Sequence, residues 1–246
     1  MKEQGRVLAV FAHPDDETYG PGATLARLSA EGAAVHLITL TRGESATMGD
    51  SPLFSPGFLA EIREKELECA CLALGISHHE IFGFPDKGLV DVPQDELAAP
   101  VLRALERFSP HLVITFHQEG VSGHQDHRTV STMVKKALAA DGGGPPRRPE
   151  GGARLAYYVV PESIASKVKW RQLNAVPDKE VTHAIETEGY QAAKAMAAEC
   201  HKTQRYIFER LSAFPGGIGE IWKRECFIVQ GEKPGKAPRP RLPLTP

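Results

Sequence analysis

His13 and Asp16 stand three residues apart in the run Ala12-His13-Pro14-Asp15-Asp16-Glu17, with a second acid, Asp15, between them. An imidazole and a carboxylate at that spacing on a tight turn can converge on one divalent cation, leaving Asp15 uncommitted beside it as a proton acceptor. A second cluster, Gly123-His124-Gln125-Asp126-His127, supplies further imidazoles. Two neutral imidazoles, His13 and His127, with the Asp16 carboxylate hold a metal and leave positions open for water, the pattern of a catalytic rather than a structural site. Such a metal lowers the pKa of its water towards ~7. His124 precedes His127 by three residues and can lie on the same side without coordinating. As a protonated imidazole it would stabilise the oxyanion of a tetrahedral intermediate or protonate a departing amine. Asp126 is placed to hold an imidazole in the required tautomer.

Both clusters follow apolar runs that read as buried strands, Val7–Phe11 and Leu112–Phe116. Ligands of open parallel sheets gather at the carboxyl ends of strands, and in a doubly wound order the first and fourth strands are neighbours at the switch point. The two clusters then face each other across one crevice. Further strands are expected at Val35–Leu40, Glu80–Gly83, Leu155–Val160 and Val181–Ile185, and helices at Leu59–Leu74, Asp95–Phe108 and from Thr187 to Leu211. The alternation predicts an α/β fold, Rossmann-like, with a mainly parallel sheet flanked by helices on both faces. One domain is expected over residues 1–231, with a mobile Gly/Pro-rich loop at 141–153 and a disordered, Pro- and Lys/Arg-rich tail at 232–246.

The chain has 246 residues, 41% hydrophobic and 24% charged, with a formal net charge of −2. That balance gives no electrostatic footprint for nucleic acid or an anionic membrane, and no apolar run is long enough to span a bilayer. No signal-peptide core precedes the first strand, so a cytoplasmic location is expected, with a small molecule as partner and a homo-oligomer as the assembly. Cys69 and Cys71 lack the spacing of a zinc knuckle or a CxxC pair, and all four cysteines are expected to be free thiols, buried for the most part. Asp16 and Asp126 also suit helix N-caps. Arg63 shares its helix with Glu61, Glu64 and Glu66, where a solvated, salt-bridged face is the ordinary arrangement.

At Ala12-His13-Pro14-Asp15-Asp16-Glu17 and His124-Gln125-Asp126-His127 the chain resembles the LmbE-like (PIG-L) superfamily of metal-dependent N-acetylglucosaminyl deacetylases, whose H-x-D-H pattern the second motif matches. The resemblance runs from Arg6 to Leu138 and more weakly to Phe227. It implies an LmbE-like fold, with His13, Asp16 and His127 as ligands of Zn2+ (Fe2+ can substitute), Asp15 as general base, His124 as oxyanion stabiliser and Asp126 as the carboxylate supporting the pair. Ile62-Arg63-Glu64-Lys65-Glu66 and Pro85-Asp86-Lys87-Gly88-Leu89 resemble segments that contact the substrate sugar, implying substrate roles for Arg63 and Asp86. Ala198–Gln204 resembles a late helix of the family, in which packing is the expected role of His201. Where some members carry a tyrosine two residues before the first H-x-D-H histidine, this chain has Ser122. Thr41-Arg42-Gly43-Glu44, Met48-Gly49 and Gly83–Lys87 look most like the bacillithiol-pathway enzymes, which act on N-acetylglucosaminyl malate.

The function implied is removal of the N-acetyl group from an N-acetylglucosamine conjugate. An amidase of the same mechanism acting on a non-sugar amide is the alternative, with a non-haem iron oxygenase behind it, since two histidines and a carboxylate also suit ferrous iron. A nucleotide-binding Rossmann module is disfavoured because the first turn lacks G-x-G-x-x-G and presents acids where a pyrophosphate needs amides.

Overall fold

The computed structural model describes residues 5–49, 55–140, 152–214 and 216–244. Seven strands form one sheet: β1 (Arg6–Phe11), β2 (Ala34–Thr41), β3 (His78–Phe84), β4 (Leu112–Phe116), β5 (Arg154–Val159), β6 (His183–Glu186) and β7 (Arg224–Val229). Their order is β3-β2-β1-β4-β5-β7-β6, parallel throughout except for β7, which runs against both neighbours. β1 lies between β2 and β4, so the winding reverses beside it. That is the expected switch point.

The helices are α1 (Asp16–Tyr19), α2 (Gly22–Ala30), α3 (Leu59–Leu74), α4 (Gln94–Phe108), α5 (Gly120–Gly123), α6 (Gln125–Ala140), α7 (Glu162–Ala165), α8 (Gln191–Cys200), α9 (Arg205–Ser212) and α10 (Ile218–Trp222). Alternate residues of β1 feed two cores. Val7, Ala9 and Phe11 pack with Leu25 of α2, Leu67 of α3 and Ala197 of α8, while Leu8 and Val10 pack with Val101 of α4 and Val134 of α6. Burial on both faces explains why β1 reads as a continuous apolar run rather than an alternating one.

Three expectations meet a different structure. The helix expected from Thr187 to Leu211 is interrupted after Cys200, because His201 and Thr203 turn inward to bury polar bonds with Glu17 and Glu66. Cys69 and Cys200 are not free thiols but a disulfide joining α3 to the end of α8, with 5.7 Å between their Cα atoms; Cys71 and Cys226 are free and buried. A pairing across 131 residues leaves no trace in local spacing. Disulfides persist mainly in oxidising compartments, which the cytoplasmic expectation does not anticipate. The tail expected to be disordered is seated as far as residue 244. Arg239 bonds the backbones of Thr182 and Ala184 beside β6, Leu242 is buried, and Leu244 packs on the core. Two leucines and an open sheet edge outweigh the polar composition. Of the loop expected at 141–153, residues 141–151 lie outside the described residues. Among the described residues no helix is long and apolar enough to cross a membrane.

Candidate active site

β1 ends at Phe11, and the chain turns sharply so that the Asp16 amide bonds the His13 carbonyl at 3.3 Å, with the Asp16 carboxylate accepting from the His13 amide at 2.8 Å. The turn places Asp15 at φ 109°, a left-handed conformation uncommon outside glycine. It is held from two sides. Glu17 accepts from the Asp15 amide at 3.0 Å, and the Arg63 guanidinium bonds the Pro14 carbonyl.

Across the switch point, the turn following β4 delivers His127 at the start of α6. His13 Nδ1, His127 Nε2 and the Asp16 carboxylate oxygens lie 3.3, 3.2 and 3.4 Å apart pairwise. Ligand atoms about 2.0–2.2 Å from a tetrahedral metal are separated from one another by roughly 3.3–3.5 Å. The His13–His127 pair matches that edge, and Asp16 meets His13 through Oδ2 and His127 through Oδ1, facing the same point with both carboxylate oxygens. Two further groups bring possible ligand atoms within 4.8 Å of one another, His13 with His124 and His127, and His13 with Asp86, His124 and Asp126.

The hydrogen bonds behind the rings set matching tautomers. His13 Nε2 faces the Asp126 and Asp86 carboxylates, each at 3.1 Å, and therefore carries the proton, leaving the Nδ1 lone pair towards Asp16 and His127. His127 Nδ1 donates to the Gly120 carbonyl at 3.1 Å, leaving Nε2 bare on the same side. Gly120 takes φ 73° to present that oxygen, and a Cβ there would stand 3.1 Å from the His127 side chain. Asp15, Asp16, Asp86 and Asp126 surround the site with Arg63 as the close permanent cation, so the electrostatics favour a further positive charge.

Asp15 lies 3.3 Å from Arg63, whose side chain is 2% exposed. Burial pushes the Asp15 carboxyl up to about 6, against the pull of Arg63. Arg63 also donates to the Gly43 carbonyl at 2.9 Å. Gly43 has φ 68°, and a Cβ there would sit 2.3 Å from a guanidinium nitrogen, so only glycine fits against this arginine. The structure sets Arg63 against the Pro14 and Gly43 carbonyls and Asp15, while its buried Nε has no hydrogen-bond partner among the described residues. Asp86 is similarly engaged, its buried carboxylate accepting from the Ser45 amide at 2.8 Å and facing His13, not an open surface.

Asp126 accepts from the amides of Lys87 at 2.7 Å and Leu89 at 3.3 Å while supporting His13. His124 accepts at Nδ1 from the Asp126 amide, 3.2 Å, so its Nε2 carries the proton when neutral. Burial, reinforced by His13 and His127, lowers its pKa. Glu17 and His201 complete the site unforeseen: His201 Nε2 lies 2.7 Å from the Glu17 carboxylate, both fully buried. The one visible signal for Glu17 is that it closes the run Ala12–Glu17 that carries the metal-site residues. Nothing near His201 in sequence announces a partner.

Fold and site together define a Rossmann-like α/β protein with a divalent-metal centre's geometry at its switch point. The family model described as GlcNAc-PI de-N-acetylase, PIG-L, matches residues 8–138, and the chain belongs to the PIG-L family. It is 30% identical over 270 residues to a 1D-myo-inositol 2-acetamido-2-deoxy-alpha-D-glucopyranoside deacetylase of Thermobispora bispora, covering 94% of this chain and 89% of that protein. A protein of the same name from Kineococcus radiotolerans is 32% identical, covering 83% of this chain and 70% of its own. Among solved structures, the conserved protein TT1542 from Thermus thermophilus superposes with a TM-score of 0.66 at 25% identity, covering 92% of this chain and 95% of its own. The N,N'-diacetylchitobiose deacetylase from Pyrococcus horikoshii shares the fold with a TM-score of 0.66 at 20% identity, covering 93% and 85%.

Proposed function

We propose that this protein hydrolyses the acetamide of an N-acetylglucosamine conjugate, releasing acetate and a free amine, with a divalent metal, Zn2+ or Fe2+, held by His13, Asp16 and His127. The observation that carries the reading is the approach of His13 Nδ1, His127 Nε2 and the two Asp16 carboxylate oxygens to 3.2–3.4 Å of one another, with the Asp15 carboxylate alongside. When bound, the metal supplies Lewis-acid polarisation of the carbonyl and a more acidic water.

The chain's own groups do the rest. Asp15 accepts a proton from the attacking water and returns it to the nitrogen as the C–N bond breaks, so the amine departs neutral. A carboxyl raised by burial suits both halves of that transfer better than an ordinary one. Arg63 keeps Asp15 aimed and favours its ionised form at the start. His124 donates from Nε2 to the oxygen that gains charge during attack. Asp126 and Asp86 fix the His13 ring.

The relatives act, by name, on an inositol conjugate, so they lend no support to malate as the aglycone. Acetate release from a panel of N-acetylglucosamine conjugates, by metal-replete and chelated enzyme, tests the proposal. Release should vanish on chelation and return with Zn2+ or Fe2+. Equal rates before and after chelation would overturn it.

A further inference from the structure

A cavity of about 150 Å3 opens directly on Asp16 and His127 and runs outward between Tyr158, Trp222 and Trp170. A cavity of that volume in an apolar setting accommodates a benzene-sized molecule. The methyl of an acetamide is far smaller, so something else must fill the space. Two polar side chains on its wall, Lys194 and Glu225, are spent on each other and on the backbone. Lys194 Nζ donates to Glu225 at 2.6 Å and to the Gly20 carbonyl at 2.7 Å, and the Glu225 carboxylate caps α2 by accepting from the Ala23 and Thr24 amides at 3.1 and 2.7 Å. The Tyr19 hydroxyl is engaged with the Gln204 carbonyl at 3.3 Å. At the outer end the Arg171 guanidinium lies 5.3 Å from the Trp170 ring, broadening an aromatic rim.

We infer that the group attached to the amino sugar is an apolar aryl aglycone, seated in this cavity beside the metal ligands. The inference rests on the N-deacetylase reading and narrows its substrate. A polyol such as inositol would bury hydroxyls against the apolar wall and beside Lys194 and Glu225, which are already paired, with Arg171 available only at the outer end. Each hydroxyl left without a partner would cost about tenfold or more in affinity. The chain therefore departs in preference from the inositol conjugate that its relatives' names carry.

Both tryptophans of the chain, Trp170 and Trp222, line the cavity, so intrinsic fluorescence reports its occupancy. The probes are the phenyl and methyl glycosides of 2-amino-2-deoxyglucose, deacetylated and therefore unable to turn over, titrated into metal-replete enzyme. The phenyl glycoside should bind at least tenfold more tightly and shift the emission, and Ile164→Phe, which narrows the cavity, should bring the ratio towards one. Acetate release from the N-acetylated phenyl, methyl and inositol conjugates is measured in parallel, and kcat/KM should favour phenyl chiefly through KM. Equal affinity for phenyl and methyl, or a kcat/KM highest for inositol, overturns the inference while leaving deacetylation intact. Selective binding of the phenyl glycoside with no acetate released from any conjugate overturns the deacetylase reading and upholds the apolar site.

Discussion

Arg63 of α3 reaches across to within 3.3 Å of the Asp15 carboxylate, joining a helix on one face of the sheet to the turn that ends β1. The pair is buried, and its acidic member is flanked by Asp16 and Glu17. Burial raises Asp15 to about 6, and without the guanidinium it would rise further. As a base, Asp15 works when ionised, so turnover is present above its pKa and declines as pH falls through it. Arg63→Met should move the acid limb of kcat/KM upward by about one unit or more, the usual effect of an arginine at this range. A bound metal draws the limb down in both proteins alike, which makes the difference between them the readout. Metal analysis should show unchanged occupancy. Coincident acid limbs would mean that Arg63 does not tune Asp15.

Glu17 and His201 form a second buried pair, and Glu17 also holds the Asp15 amide. Burial opposes charge on His201, but Glu17 outweighs it, so the folded pKa is raised. Its stabilising share is complete below the unfolded value of 6.5 and is lost as pH rises through the folded value. His201→Ala strands a buried carboxylate and should cost about 3 kcal/mol at pH 6 in urea unfolding. Adding Glu17→Gln should recover part of that loss. Full additivity of the two variants would show that they do not interact.

What the sequence disclosed and what it hid divide along chain distance. His13, Asp15 and Asp16 are neighbours on one turn, and His124 to His127 begin one helix, so residue type and local spacing carried them. β1 and β4 announced themselves through β-branched runs. The environments of Arg63 and Asp86 depended on loops following other strands, and a helix face rich in Glu61, Glu64 and Glu66 suggested solvent where Arg63 is buried. The Cys69–Cys200 bond, the Glu66–Thr203 contacts and the seating of Leu242 all pair segments far apart in sequence. No periodicity encodes such pairings; they emerge only when the sheet order brings α3 and α8 together.

The Cys69–Cys200 disulfide ties α3, which carries Arg63, to the residue preceding His201. Closing a loop of 131 residues removes unfolded-state entropy equivalent to about 5 kcal/mol at most. Cys69→Ser with Cys200→Ser, or reduction by dithiothreitol, should lower the denaturation midpoint by several degrees. Activity should fall less than stability, since the Glu66–Thr203 bonds still hold the turn. An unchanged midpoint, with mass spectrometry showing both thiols free in the starting protein, would remove the bond from the account.

His36 of β2 gives a stability effect of opposite sign at a distance from the metal. Its ring stacks on Phe108 at 3.8 Å between centroids, and burial, with His78 and Arg107 nearby, lowers its pKa from 6.5 to about 4. Between those values the unfolded chain takes up a proton that the folded protein refuses, so stability is present above 6.5 and drains away as pH falls towards 4. Partial exposure screens the effect to about 1–2 kcal/mol. His36→Phe keeps a ring against Phe108 and cannot titrate. Urea unfolding of both proteins at pH 7 and pH 4.5 should show the wild type losing that much more than the variant. Parallel losses would assign the acid sensitivity to other groups, the carboxylates around His13 foremost among them.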